Sequence, residues 1–303
     1  MGHSPPLHIV IATHERLALL RQTLNSLAEC EQPEAYQGAI VVENGSKAGA
    51  KRIVEDHGDT LNAEYLNAEY LYASHAHKSH ALNRALEAVG DGLIFFTDDD
   101  VRVHPKVLVR YSEAAQGIER GLYFGGPTDV DYEEPPPDWL LPSLPSSAVG
   151  WDQDSDWHYA LGCNWAAFVE DLRSCGGFDE EKGPGSGTVG SETDMQKRLE
   201  ESGVEQRFVE GARVWHYIPK ERCNPKWLLH RYYRMGKGDA HGGWDVSGRW
   251  FGFNSWMWLE LGRRVLRKAW TSNREKRFKA KRKLAYFVGK MKGIRESAKQ
   301  RRQ

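Results

Sequence analysis

Apolar positions in this chain follow two rhythms. Short continuous runs, Leu-His-Ile-Val-Ile-Ala from Leu7 to Ala12, Ala-Ile-Val-Val from Ala39 to Val42 and Leu-Ile-Phe-Phe from Leu93 to Phe96, have the character of strands covered on both faces. Between them the spacing becomes helical, with Leu17, Leu20, Leu24 and Leu27 ahead of a break at Pro33, a helix starting near Ile53, and another from Ser79 to Val89. A further strand is predicted near Tyr70 to Ala73, beside a duplicated Leu-Asn-Ala-Glu-Tyr at Leu61 to Tyr65 and Leu66 to Tyr70. One copied pentapeptide is too short for a solenoid. The order β-α-β-α-β-α-β predicts an α/β fold with a mainly parallel sheet covered by helices.

What the strands run into is polar. The first ends in Thr13-His14-Glu15-Arg16, the second in Glu43-Asn44-Gly45-Ser46, and the fourth in Asp98-Asp99-Asp100. Open α/β sheets bind ligands outside the carboxyl ends of their strands, and three adjacent carboxylates repel one another unless a cation neutralises them. Side chains alternate along a strand, so Asp98 and Asp100 share a face and Asp99 points away. Oxygen ligation suits a hard ion, Mg2+ or Mn2+, held partly through substrate phosphates. The plain alternative is a solvated acidic turn.

Past this half the composition changes. Glu133-Glu134-Pro135-Pro136-Pro137 and Pro142-Ser143-Leu144-Pro145 mark an irregular loop, around which Trp139, Trp151, Trp157 and Trp165 either stack on sugar rings or fill a core. A glycine-rich loop from Gly183 to Gly190 leads into a helix from Ser191 to about Glu201. There Glu192 is either a general base or an acid suited to the helix end, with Ser191 as N-cap and Asp194 completing a capping pair. His216, after Val214-Trp215, either completes the Asp100 metal site or is a structural histidine. His75, His77 and His80 resemble a zinc tract but lack accompanying Cys or carboxylate spacing. Lys78 and Ser79, at a helix start, suit phosphate oxygens, and Arg231, among Arg222, His230, Tyr232, Tyr233 and Arg234, either clamps a diphosphate or faces water.

Charge adds a feature that the formal net of −1 hides. From Gly262 to Gln303 there are 17 Lys and Arg against two acids, and the residues before them carry 24 against 40. A basic segment with embedded Trp270, Phe278, Tyr286, Phe287 and Met291 is suited to an anionic membrane surface, to docking on the acidic body or a partner, or, less well, to nucleic acid. No apolar run reaches the roughly 18 to 20 residues that span a bilayer, and the first residues lack a signal-peptide core, so a cytoplasmic protein is expected, with peripheral membrane contact through 262–303. The four cysteines, Cys30, Cys163, Cys175 and Cys223, are scattered as reduced thiols are.

In order along residues 7 to 240, these motifs resemble family 2 glycosyltransferases. Ile9 to Arg16 is similar to the family's opening strand and its Pro-Thr-Tyr-Asn-Arg turn, here Ala-Thr-His-Glu-Arg; Glu43-Asn44-Gly45-Ser46 resembles the base-recognising Asp-Asn-Gly-Ser; Lys78 to Asn83 precedes the carboxylate strand. Gly162-Cys163-Asn164 and Gly176-Gly177-Phe178-Asp179 resemble acceptor-side elements, and Ser191-Glu192-Thr193-Asp194 stands where the family usually reads Glu-Asp. The resemblance implies a GT-A fold with a nucleotide-sugar-binding half at 1–125 and an acceptor and catalytic half at 126–240; beyond it, composition and charge predict an aromatic then basic helical extension at 241–303. Donor contacts are expected from Thr13, Glu15, Arg16, Glu43, Asn44, Lys78, Asn83, Asp98 and Asp99, and from Arg231 as a diphosphate clamp. Asp98, Asp100 and His216 would hold the metal, and Glu192, with Asp194 as competitor, would act as base. The implied reaction is inverting transfer from a nucleotide-diphosphate sugar, such as a UDP-sugar, to an acceptor hydroxyl; the basic tail points to a saccharide or glycolipid acceptor, in cell-envelope polysaccharide or glycolipid synthesis. The alternatives are a silent nucleotide-sugar-binding scaffold and a sugar nucleotidyltransferase, whose glycine-rich signature Thr13 to Arg16 does not supply.

Overall fold

The computed structural model describes residues 3–58, 66–186, 188–239 and 273–300. The first copy of the duplicated pentapeptide and residues 240–272 of the extension lie outside the described residues. The chain forms two compact units, one built from Met1–Asp131, Ser146–Ser186 and Ser191–Tyr217, the other from Tyr132–Pro145, Gly187–Gly190 and Ile218–Gln303.

The first unit opens as its apolar rhythm dictates: β1 (Leu7–Thr13), α1 (Leu17–Ala28), β2 (Tyr36–Asn44), α2 (Ala50–Gly58), β3 (Ala68–Ala73), α3 (Lys78–Ala88) and β4 (Leu93–Asp98). β1 lies between β2 and β4, parallel to both, with Ala12 level with Val42 on one side and Asp98 on the other. The polar strand ends therefore finish together on one edge of the sheet.

Then the topology departs from simple alternation. After β5 (Val101–Val103), α4 (Val107–Ala114), β6 (Leu122–Gly125) and β7 (Thr128–Tyr132), the chain returns through β8 (Trp165–Phe168), which pairs antiparallel with both β4 and β6. With α5 (Val169–Ser174), α6 (Ser191–Glu201) and β9 (Glu205–Phe208), a sheet ordered β3-β2-β1-β4-β8-β6-β9 is complete. A second, three-stranded sheet pairs β5 with β10 (Val214–Ile218) and β10 with β7.

Of the four tryptophans considered for sugar stacking, Trp165 is a core residue. It is fully buried on β8, stacks on Phe96 at 4.7 Å between centroids, and meets Phe178 edge-on. Trp151 is also buried, whereas Trp157 is 40% exposed. Burying aromatic surface two residues before Asp98 fixes the end of β4, at about 25 cal/mol for each Å2 removed from water.

In the second unit, α7 (Pro225–Gly238) packs on α8 (Arg274–Gln300). The two backbones come close where Gly236 meets the Tyr286 carbonyl and Gly289 meets the Tyr233 carbonyl, since a Cβ at either glycine would collide with those oxygens. Among the described residues no helix is long and apolar enough to cross a membrane.

Candidate active site

Three carboxylates and a histidine converge beyond the end of β4. Asp98 is the last residue of the strand, Asp99 and Asp100 form the following turn, and β10 brings His216 alongside by pairing with β5. Ligand atoms of Asp98, Asp100 and His216 all lie within 4.8 Å of one another, the one such group of three or more His, Cys, Asp or Glu among the described residues. The histidine tract makes no comparable cluster: His80 pairs with Glu180 at 3.1 Å, and its ring meets that of His75 edge-on.

His216 is oriented from behind. Its Nδ1 lies 2.8 Å from the Ser147 carbonyl, which accepts only, so Nδ1 carries a proton and Nε2, 3.4 Å from Asp100 Oδ1, is the nitrogen turned toward the carboxylates. A backbone partner thus fixes the ring orientation that would leave Nε2 to a metal.

Two cations counter the acids. Arg16 donates from one guanidinium nitrogen to Asp100 Oδ2 at 2.5 Å and pairs with Asp99 through another. Burial alone would lower its pKa, but Asp100, Asp99 and Asp98 together raise it. Asp99 is fully buried and also accepts from the Thr13 hydroxyl at 2.7 Å. Burial pushes its carboxyl up to about 6 against the pull of Arg16.

Lys78, the first residue of α3, is the second cation. Its ammonium donates to Asp98 Oδ1 at 2.5 Å and pairs with Glu192 near the start of α6. Burial opposes its charge, and the two carboxylates more than restore it. Burial likewise opposes the charge of Glu192, while Lys78 and the Ser191 hydroxyl, 2.7 Å from Oε2, hold its pKa below the ordinary carboxylate value. Asp98, Asp99, Asp100 and Glu192 thus face Arg16 and Lys78, four negative charges against two positive. The deficit matches one divalent cation, and two carboxylates with an imidazole form a donor set that Mn2+ or Mg2+ accepts.

Both acids do stand in the first turn of α6, but Ser191 is the first residue of the helix rather than its cap. The Ser191 hydroxyl is given to Glu192, and Asp194 pairs with Lys182 and with Arg198 Nε at 2.9 Å. Burial would raise the Asp194 pKa, but those two cations lower it.

The remaining residues expected at the donor are distributed unevenly. The Asn44 amide donates to the Thr13 carbonyl at 2.9 Å, joining β2 to β1. Glu15, at φ +56, accepts from Ser46 and so ties the two loops together. Glu43 is 1% exposed, and one of its oxygens accepts the backbone N–H groups of Ala48, Gly49 and Ala50 at 2.8–3.1 Å; the other accepts from Tyr70. It serves the entry to α2, where amide donors lack partners within the helix. Asn83 is similarly occupied: it accepts from the Phe178 N–H at 2.7 Å and donates to the Phe178 carbonyl and to Glu180. Its amide pins the Gly177-Phe178 turn. Arg231 belongs to the second unit, where its guanidinium lies 5.6 Å from the Trp227 ring.

Two neighbours of the cluster act without a side chain. Ser147 acts through its carbonyl, which any residue has. Gly162 acts by lacking a side chain, because a Cβ there would lie 2.7 Å from Glu192 Cδ and Oε1.

The comparisons with known proteins agree with this geometry. Residues 8–173 match the sequence profile of glycosyl transferase family 2. No curated protein is close enough in sequence to match. Among solved structures, a mannosyltransferase, PcManGT from Pyrobaculum calidifontis, in complex with GDP-Man and Mn2+, superposes with a TM-score of 0.61 at 14% identity, over 97% of this chain and 88% of that one. S. aureus TarS 1-349 in complex with UDP-GlcNAc gives 0.54 at 14% identity over 97% and 91%. GalNAc-T7 with UDP, GalNAc and Mn2+ gives 0.53 at 13% identity over 81% of this chain and 53% of that one. At such identities the likeness is one of fold, the GT-A glycosyltransferase fold. Since the matched profile covers more than half of the sequence, the chain belongs to glycosyl transferase family 2 and is a glycosyltransferase.

Proposed function

We propose that the protein transfers a sugar, with inversion, from a nucleotide-diphosphate donor such as a UDP-sugar to an acceptor hydroxyl. Asp98, Asp100 and His216 would hold a divalent ion, which would supply Lewis-acid stabilisation to the departing diphosphate. Residues 1–125 serve the donor, residues 126–240 the acceptor, and 241–303 are an extension.

The single observation that carries the reading is the line of contacts from Asp98 through Lys78 to Glu192. It sets a largely buried carboxylate, kept ionised by a cation, next to the donor set for the metal. Glu192 takes the acceptor hydroxyl proton as that oxygen bonds the anomeric carbon, while the bond from that carbon to the diphosphate breaks and the nucleoside diphosphate leaves. A base must be deprotonated at working pH, and the depressed pKa of Glu192 meets that condition. Asp194, clasped by Lys182 and Arg198, holds the helix start and the preceding loop. Thr13 and Arg16 fix the Asp99-Asp100 turn. A saccharide or glycolipid acceptor of the cell envelope is the acceptor class we assign, with a cytoplasmic enzyme meeting it at the membrane.

A thermal-shift panel of nucleotide sugars with and without Mn2+, on wild type and Asp100→Ala, tests this. A ligand that binds only the folded state stabilises it by mass action. A metal-dependent rise of several degrees with one donor, lost in the variant, is expected. No shift with any donor overturns the reading.

A further inference from the structure

α8 carries one surface that glycosyl transfer does not use. Arg274, Arg277, Lys281, Val288, Lys292 and Arg295 recur at spacings that place them on a single helix face, a stripe of about 32 Å at 1.5 Å per residue. One acid, Glu296, borders it near its carboxyl end, reaching Lys237 at 2.9 Å and Lys292 at 3.4 Å, while Glu275 pairs with Lys279 at 2.6 Å. Phe287, Met291 and Ile294 are buried on another face, so the stripe is not the seam that holds α8 in place.

The stripe is also partly apolar. Val288 stands 41% exposed at its middle. At its amino end Trp139, Pro225 and Phe278 line a pocket whose rim is Arg274, Arg277 and Lys281. Trp139 meets Phe278 edge-on at 5.8 Å and carries the Arg274 guanidinium over its ring at 4.1 Å.

We propose that this face of α8 seats the protein on an anionic lipid bilayer, with the Arg and Lys heads at the phosphates and Val288 and the Trp139–Phe278 pocket toward the acyl boundary. Charge complementarity selects a polyanionic surface, and the apolar elements select lipid among polyanions. A nucleic-acid backbone has no use for an exposed valine. Long cationic side chains laying their stems along apolar surface are the usual arrangement at a membrane interface. The inference goes beyond the transfer reaction and stands on α8 and its neighbours alone.

Full-length protein is to be sedimented with vesicles of phosphatidylcholine alone and with 30% phosphatidylglycerol, in about 0.1 and 0.5 M salt, alongside a duplex DNA arm. Binding only to the anionic vesicles, weakened by salt, is expected. A Lys281→Glu/Arg295→Glu double variant should bind about 25-fold more weakly or worse, at ~5-fold for each cation lost. Val288→Ser should weaken vesicle binding several-fold. Should the double variant fail to fold, the dependence of wild-type binding on phosphatidylglycerol content and the Val288→Ser loss carry the test. Wild-type indifference to anionic lipid, charge-reversed binding equal to wild type, or tight DNA binding with vesicle binding unmoved by Val288→Ser would each overturn the proposal. Donor-dependent thermal shifts measured on the same proteins report on the transfer site separately.

Discussion

Lys78 holds the Glu192 carboxylate on one side and Asp98 on the other, so the base proposed for the acceptor and a ligand proposed for the metal share one ammonium. Lys78→Met would leave Glu192 buried without its cation and raise its pKa. Because the deprotonated form is the active one, the acidic limb of the pH–rate profile should move to higher pH, and turnover at neutral pH should fall about a hundredfold. An unmoved limb would separate Lys78 from the base.

Gly162→Ala tests the positioning of the same carboxylate. The new Cβ would need space now filled by Glu192 Cδ and Oε1. Misplacing a reacting group by about 1 Å costs on the order of a hundredfold in rate. Turnover should drop on that scale with the KM for donor nearly unchanged, measured by steady-state transfer kinetics.

His216→Ala removes the nitrogen donor of the proposed metal set. The Mn2+ concentration that half-saturates donor-dependent stabilisation should rise at least tenfold or so, since even partners behind a metal ligand contribute that much. His216→Ala with wild-type Mn2+ dependence in a thermal melt would take the histidine out of the set.

Asp194 offers a stability prediction with a defined sign. Its pKa is below the ordinary 3.8, so its pairing with Lys182 and Arg198 is fully present above 3.8 and is lost as pH falls through the lowered folded value. Asp194→Asn should cost about 1–2 kcal/mol at pH 7. That difference, followed by urea unfolding, should shrink in acid below 3.8.

What the sequence made legible was what its local rhythm encodes. Leu7–Thr13 and Leu93–Asp98 announce themselves by apolar runs, and the carboxylates at Asp98 to Asp100 by their place after one. The α6 boundaries, Ser191–Glu201, were equally plain from the glycine loop before them. The antiparallel insertion of β8 was not legible, because Trp165-Ala-Ala-Phe168 is four apolar residues whose partners lie about 70 positions earlier and 40 positions earlier. Glu43 and Asn83 read as ligand residues since residue type tells only what a side chain is able to bind. Tertiary contacts then supplied backbone partners that occupy both, the Ala48 to Ala50 amides for one and Phe178 for the other. Lys78 read as a phosphate ligand, but its pairing with Glu192 required two segments more than 100 residues apart to meet.

The placement of β8 has a consequence for how the chain is made. Until Trp165 to Phe168 emerge from the ribosome, Leu93 to Phe96 form the open border of a half-built sheet, with unpaired backbone groups and with Phe96 lacking its Trp165 partner. Such a border is a template for the wrong partner. Nascent chains stalled before Trp165 to Phe168 have left the exit tunnel should therefore engage chaperones or aggregate, and those stalled after β8 has emerged should not. The segment between the two strands acts as a delay in assembly.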